Sequence, residues 1–521
     1  MNTCPLSWSD QRRNLLLFAG CTGLQYLSAP ISYVGITQAS LLDKLGATTV
    51  QANLPATAYF GMTAAPALLA YLFPKVSQLK RNLVACYSLN ALMTVIMTVM
   101  LAIPATGLVE QTPFWTKLQI NMVIIQAAFN GITMPAAIAF LWEIIGRGSE
   151  ESKRGLALSL AFGAGPFLAV VGSLGQIYFL GGNFFGHKFL GLEHPWSYVT
   201  LYGLTAPMLI CGAVLATRFV VPLPSVEELS IPWKKVLPLS AGLFMGFVAL
   251  LLMQFRDDAA ALQNNLAGTN LIIGGVRIPL TIPIFSYDIH VGILLMLGAA
   301  LVIMYDYRDI LSQRIFLLST IVIVLLYAGN TIPSNMNLYT ELVLGDDPQK
   351  YAGIQNTYRF GFKMVAGFLY GLLLTKTHPK AGLLATGIIF TLAQFWAIFA
   401  TGEWYLIAFG IYGAGELVGA YGPNYLLSAS KPSDMRRNMA FMTMLMAPAA
   451  PIGYIFGEIA QTIREKQIPG WGGMPPDEFG FVLSFAVCAG VMILGLLIAV
   501  FCLPARPGAA EASGKEISAS T

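Results

Sequence analysis

The sequence predicts an all-α polytopic membrane protein of fourteen transmembrane helices, built as two six-helix halves with two further helices inserted between them. Three observations carry the prediction. Of 521 residues, 56% are hydrophobic and only 11% charged, and the mean hydropathy is +0.66, which lies outside the range of soluble globular domains. The apolar residues gather in runs of roughly 20, the length a helix needs to cross about 30 Å of hydrocarbon. Lys and Arg concentrate in alternate loops between those runs.

The first run, residues 14–37, follows Arg12 and Arg13 and is too long for the apolar core of a cleaved leader, so it is read as the first helix. Runs at 50–73, 82–104, 118–142, 155–180 and 197–220 complete an N-terminal six-helix half over residues 1–220. The link VPLPSVEELSIPWKK leads to two runs at 236–255 and 287–305, so that residues 221–314 form a central link with two extra helices. Six runs at 315–338, 351–374, 381–400, 404–427, 438–461 and 480–503 make a C-terminal half over 315–504. The polar, small-residue tail 505–521 is expected to be disordered and cytoplasmic. With the N-terminus inside, twenty loop cations fall on the inner side and eight on the outer, which places both termini in the cytoplasm of a multi-pass protein of the inner or plasma membrane.

The halves read as copies. Displaced by 299 positions, LGATTVQANLPATAYFGMTAAPALLAY lies on LGDDPQKYAGIQNTYRFGFKMVAGFLY, matching Leu45 with Leu344, Gly46 with Gly345, Tyr59 with Tyr358, Ala67 with Ala366 and Tyr71 with Tyr370. At 283 positions ESKRGLAL lies on DMRRNMAF, pairing Arg154 with Arg437. Both matches fall at equivalent places in the helix order, the second span and the loop between the fourth and fifth.

Two six-helix halves, cytoplasmic termini, a longer central link and a basic loop after the second and fourth helix of each half resemble the major facilitator superfamily over nearly the whole chain. That family's signature after the second helix is Gly, Asp-Arg, then Gly-Arg-Lys. Here YLFPKVSQLKRN keeps Lys75, Lys80 and Arg81 without the Asp or Gly, and YGLLLTKTHPKAG in the second half keeps Gly371, Lys376 and Lys380. The two central helices resemble those of fourteen-span drug exporters and proton-coupled peptide carriers. AFGAGPFLAV keeps only Gly165 and Pro166 of the exporters' fifth-helix motif, and GCTGLQYLSAPISY lacks the peptide carriers' E-x-x-E-R run. The resemblance implies a solute site near the midplane between the halves, exposed alternately to each side.

Against this apolar background a few polar residues stand out. The eighth core helix carries Asn356, Arg359 and Lys363. A cation at the centre of a spanning helix costs about 2.5–3.5 kcal/mol on insertion scales and is turned toward the bundle interior or a watery cavity. Four residues apart, the two cations share one helix face. Under the 299-residue offset their counterparts are Phe60 and Ala64, so the common scaffold does not require charge there. Glu416, mid-span in the tenth helix beside Tyr412, is the carboxylate placed to face them. It reads as a proton-coupling group, because burial and a neighbouring cation pull its protonation in opposite directions, or else as one end of a static bridge. Two cations against one carboxylate leave room for an anionic solute, with Arg359 as its main ligand because a guanidinium fork suits carboxylates and phosphates.

Gln25 and Tyr26 in the first helix, Asn130 in the fourth and Asn330 in the seventh are further candidates for solute contact, with hydrogen bonding between helices as the competing reading. Pro333 breaks the seventh helix, and such breaks are tolerated at membrane depth where they line a cavity or are re-satisfied by neighbours. Asn337, beyond it, is expected to face water. Glu143, Arg147, Arg154 and Arg437 are candidates for a cytoplasmic gate.

Other chemistries lack a basis. Basic residues are not interleaved with aromatics in a patch, which argues against nucleic acid. Six scattered cysteines without C-x-x-C and four isolated histidines form no metal set. No Walker loop, G-x-S-x-G or H-E-x-x-H occurs, so no cofactor and no enzyme activity are expected. The sequence therefore points to a monomeric secondary transporter in the lipid bilayer, moving a small polar, anionic organic solute and coupled to protons. A multidrug/proton antiporter is the alternative that 21 methionines and many aromatics favour, and a solute receptor of transporter-like build is the alternative from another class.

Overall fold

A computed structural model describes residues 6–33, 35–150, 164–184, 187–223, 231–254, 270–273, 276–279, 288–305, 307–429, 441–442 and 444–507. Among them, eight helical segments are both long and apolar enough to cross a bilayer. The rest of the described bundle is made of helices that are shorter, interrupted or carry charge, and the site draws on both groups.

In the first half, α1 (Trp8–Ser32) starts at Ser7, whose hydroxyl accepts from the Asp10 N–H. It stops just after Pro30, and α2 (Ile36–Lys44) continues the crossing. The second crossing is likewise split, into α3 (Thr49–Gly61) and α4 (Ala65–Leu72) joined by one 3₁₀ turn. Then come α5 (Leu79–Ala105), the 36-residue α6 (Pro113–Gly148), α7 (Gly165–Leu180) and α8 (Trp196–Ala216), with a two-residue hairpin, β1 (Asn183–Phe184) and β2 (His187–Lys188), between the last two. The central pair is α9 (Trp233–Gln254) and α10 (Asp288–Tyr305), separated by the antiparallel strands β3 (Asn270–Ile273) and β4 (Val276–Pro279). The pair packs against itself, with α9 also on α3 and α4 and α10 on the helix that begins at Ala450.

The second half repeats the pattern. Its first crossing is α11 (Arg314–Tyr327), a 3₁₀ turn over Ala328–Thr331, and α12 (Pro333–Leu344). After α13 (Pro348–Lys376) and α14 (Pro379–Phe399), the tenth crossing splits into α15 (Ile407–Gly415) and α16 (Val418–Ala429). The last two are α17 (Ala450–Glu465) and α18 (Pro476–Cys502). Proline at the first helical position of α6, α12, α13, α14 and α18 occupies a place where no N–H is needed.

Four expected spans, 14–37, 50–73, 315–338 and 404–427, are thus not single helices. The breaks follow Pro30, precede Pro333, or fall in Gly- and Ala-rich stretches, where the ladder is interrupted or poorly supported. The 299-residue repeat is visible in the backbone. Gly46 and Gly345 both adopt positive φ (73° and 68°), the left-handed turn that glycine enters without steric cost. Two residues later Thr48 and Asp347 each cap a helix, and α3 and α13 begin at equivalent positions. The second match, with Arg154 and Arg437, lies outside the described residues.

The halves meet through α3 on α17, α7 on α13 and α2 on α12. Side-chain bonds tie this seam on the face away from the chain ends. Lys44 pairs with Asp347, Arg464 donates to Thr49 Oγ1 (3.1 Å), the Val50 N–H to Gln461 (3.2 Å), and Asn53 to Asn335 Oδ1 (2.6 Å). Asn335 and Asn337 are fully buried, so Asn337 does not face water: it donates to Gln355 at 2.7 Å.

Candidate functional site

The α1 break frees backbone carbonyls, and each finds a side chain. Pro30 O accepts from Thr37 Oγ1, from Gln176 Nε2 of α7 (3.0 Å) and from Asn356 Nδ2 of α13 (3.4 Å). Ile31 O accepts from Gln38 (3.1 Å) and Ser32 O from Asn130 Nδ2 (2.9 Å). Asn356 also donates to Gln176 Oε1 at 2.9 Å. In a medium without water such carbonyls must be satisfied internally, and here donors from both halves do so. Asn356 is therefore bound into the seam, and Asn130 into the packing of α1 on α6 within the first half.

One turn along α13 the chemistry changes from amide to charge. Arg359 grips Glu416 with two bonds, Nη2 to Oε1 at 2.8 Å and Nε to Oε2 at 3.1 Å, and Lys363 Nζ lies 3.1 Å from Oε2. The Arg359 and Glu416 side chains are 2% and 3% exposed, that of Lys363 14%. Glu416 sits in the interruption between α15 and α16, its N–H closing on Tyr412 O. Gly413 makes this possible: a Cβ there would overlap the Arg359 carbonyl oxygen, so only glycine lets α15 come this close to α13. The guanidinium lies 4.9 Å from the Tyr33 ring centre and 5.2 Å from that of Tyr412, whose hydroxyl has no partner among the described residues. The cluster holds two cations and one carboxylate.

Beside it opens a cavity of about 180 Å³ between α1, α6 and α13, lined by Gln25, Tyr26, Tyr33, Trp142, Phe360 and Lys363 among others. Lys363, rather than Arg359, is the charge that borders this space. Gln25 is 7% exposed and its Nε2 has no acceptor among the described residues. Through Phe18 and Trp142 the cavity reaches toward the start of α1 and the end of α6, the face of the chain ends.

The remaining candidates lie elsewhere. Asn330 is buried in the 3₁₀ turn of the seventh crossing, both side-chain polar atoms without a partner among the described residues. Glu143 and Arg147 pair along α6 at 2.7 Å. Sequence reasoning overlooked Gln176, a lone amide in the apolar run of α7, and the ring of Tyr33 just after Pro30. On the far face Asp346, bonded by the Lys350 ammonium, is held below the usual carboxylate range.

No protein-family model matches the chain and no curated protein matches its sequence. Solved structures do. It superposes on a D-xylose–proton symporter with a TM-score of 0.58 at 15% identity, covering 96% of this chain and 99% of that one. A nucleoside transporter, NupG, gives 0.56 at 10% identity over 94% and 99%, and a POT family transporter in complex with 5-aminolevulinic acid 0.56 at 12% over 94% and 96%. The chain has the major facilitator fold. It is a multi-pass membrane protein whose α9 and α10 are additions to the twelve core crossings.

Proposed function

We propose that the protein is a secondary active transporter that carries a small organic anion across the membrane by alternating access, coupled to protons. The observation that carries this reading is the buried cluster of Arg359, Lys363 and Glu416, one positive charge in excess, with Lys363 bordering a cavity. Structural neighbours that include a sugar–proton symporter, a nucleoside transporter and POT family transporters support the general activity. A buried unpaired charge is costly, and an incoming carboxylate would give the second cation a partner. On entry it competes with Glu416 for Lys363 and then Arg359, and Glu416, released, takes up the coupling proton. Anion and proton then cross together while the halves, residues 1–220 and 315–504, rock as units. The tied far-face seam and the cavity reaching the other face fit a state open toward the chain ends, which the loop charges assign to the cytoplasm.

Export of drug-sized compounds is the weaker reading, since such pockets measure about 300–1,000 Å³ against about 180 Å³ here. The test is uptake into proteoliposomes under an imposed proton gradient, with organic anions compared to neutral sugars. Acid-driven anion uptake that is lost in Lys363→Gln supports the reading. Uptake indifferent to both the gradient and that substitution removes it.

A further inference from the structure

The cavity walls carry information that the charge cluster does not. Of fourteen lining side chains, six are aromatic (Phe18, Tyr26, Tyr33, Tyr59, Trp142 and Phe360) and four are aliphatic. A small hydrophilic anion with several oxygens would leave most of them facing rings, and buried polar atoms without partners are costly. Among the polar groups that line the cavity, Lys363 alone is charged. Lys363 Nζ has one bond, to Glu416, and Gln25 Nε2 has no acceptor among the described residues. With the Gln25 side chain and the hydroxyls of Thr22, Tyr26, Tyr33 and Tyr59 beside it, Lys363 suits one carboxylate.

Size narrows the class further. A cavity of about 150 Å³ takes a benzene ring, so about 180 Å³ admits one ring with a short tail. The rings already meet edge to face, Phe18 with Trp142 at 4.9 Å between centroids and Tyr33 with Tyr59 at 5.3 Å. That geometry leaves faces and edges to which another aromatic ring adds favourably, beyond what a saturated ring of the same size would gain. A cationic or neutral aromatic compound would leave Lys363 opposed or uncompensated.

We infer that the solute is a small monocarboxylate built on a single aromatic ring, its carboxylate on Lys363 and Gln25 and its ring among the aromatic walls. The inference rests on the anion reading of this same cavity. It is tested by calorimetric titration of the purified full-length protein with 3-phenylpropionate, 3-cyclohexylpropionate, propionate and 3-phenylpropylamine. The expected order is 3-phenylpropionate tightest, roughly 2- to 10-fold ahead of 3-cyclohexylpropionate, with propionate far weaker and the amine not bound. Trp142→Leu should narrow the gap between the two ring acids, and Lys363→Gln should remove both. Equal binding of the two ring acids, or propionate as tight as either, overturns the aromatic class and leaves the anion reading standing. Binding of the amine in preference to every acid, or of none of the four, overturns both. The wild-type comparison needs no variant, so a misfolded substitution does not blunt it.

Discussion

One turn apart on α13, Asn356 and Arg359 belong to networks of opposite kind. Asn356 reaches across to Gln176 and Pro30 of the first half, through neutral amides and a backbone carbonyl. Arg359 and Lys363 turn to Glu416 within their own half, and every group involved is ionic. The neutral network contains more donors and acceptors than it strictly needs, so losing one member leaves the others paired. The ionic cluster has a single carboxylate for two cations and no spare. Contact between the halves thus rests on groups that can exchange partners cheaply, and the charge cluster on groups that cannot.

The contrast can be broken at several places, and the largest effect should come from Glu416→Gln. It strands two buried cations, and removal of one partner from a buried pair costs about 3–5 kcal/mol. A large fall in unfolding temperature is expected, partly reversed by an organic anion. Replacing all three charges together, with Arg359→Met, Lys363→Met and Glu416→Leu, should recover much of the stability without restoring transport. A triple variant no more stable than the single one would mean that the cluster's cost lies in packing. Next in size is Gly413→Leu, which drives a side chain into the Arg359 carbonyl. Overpacking of this kind costs about 1–3 kcal/mol, and crosslinking of cysteines placed on α13 and α15 should report their separation.

Gln176→Leu sharpens the other side of the comparison. It deprives Asn356 of an acceptor and Pro30 O of one of its donors, at roughly 1–2 kcal/mol, and should loosen the seam more than the fold. Faster labelling of a cysteine at Gln461, with a small change in unfolding temperature, is the expected result. Unchanged labelling would separate this network from closure. The smallest effect belongs to Lys44→Gln. Its pair with Asp347 is partly exposed, 31% and 23%, and such pairs contribute about 0–1 kcal/mol, so stability should hardly change.

The ionic cluster was legible in the sequence because charge in an apolar run has no neutral explanation. Arg359, Lys363 and Glu416 each contradict their surroundings, and only one carboxylate was available to answer two cations. The neutral seam was not legible. Its bonds join residues 146 and 326 positions apart, and Gln176 alone in α7 is indistinguishable from any amide bridging two helices. The split crossings were half legible. Pro333 announced its break, but Gly415–Glu416 did not, since glycine-rich helical runs are common where membrane helices pack closely. The face that Lys363 presents to the cavity depends on how deeply Arg359 is engaged, which no local pattern encodes.

The break after Pro30 bears on how fast such a molecule can cycle. When the halves part on the far side, Pro30 O loses the Asn356 donor but keeps Gln176 and Thr37, and Ile31 and Ser32 keep Gln38 and Asn130. No backbone oxygen need be bare at any point along the motion. The activation barrier for opening then contains no large desolvation step from the α1 main chain.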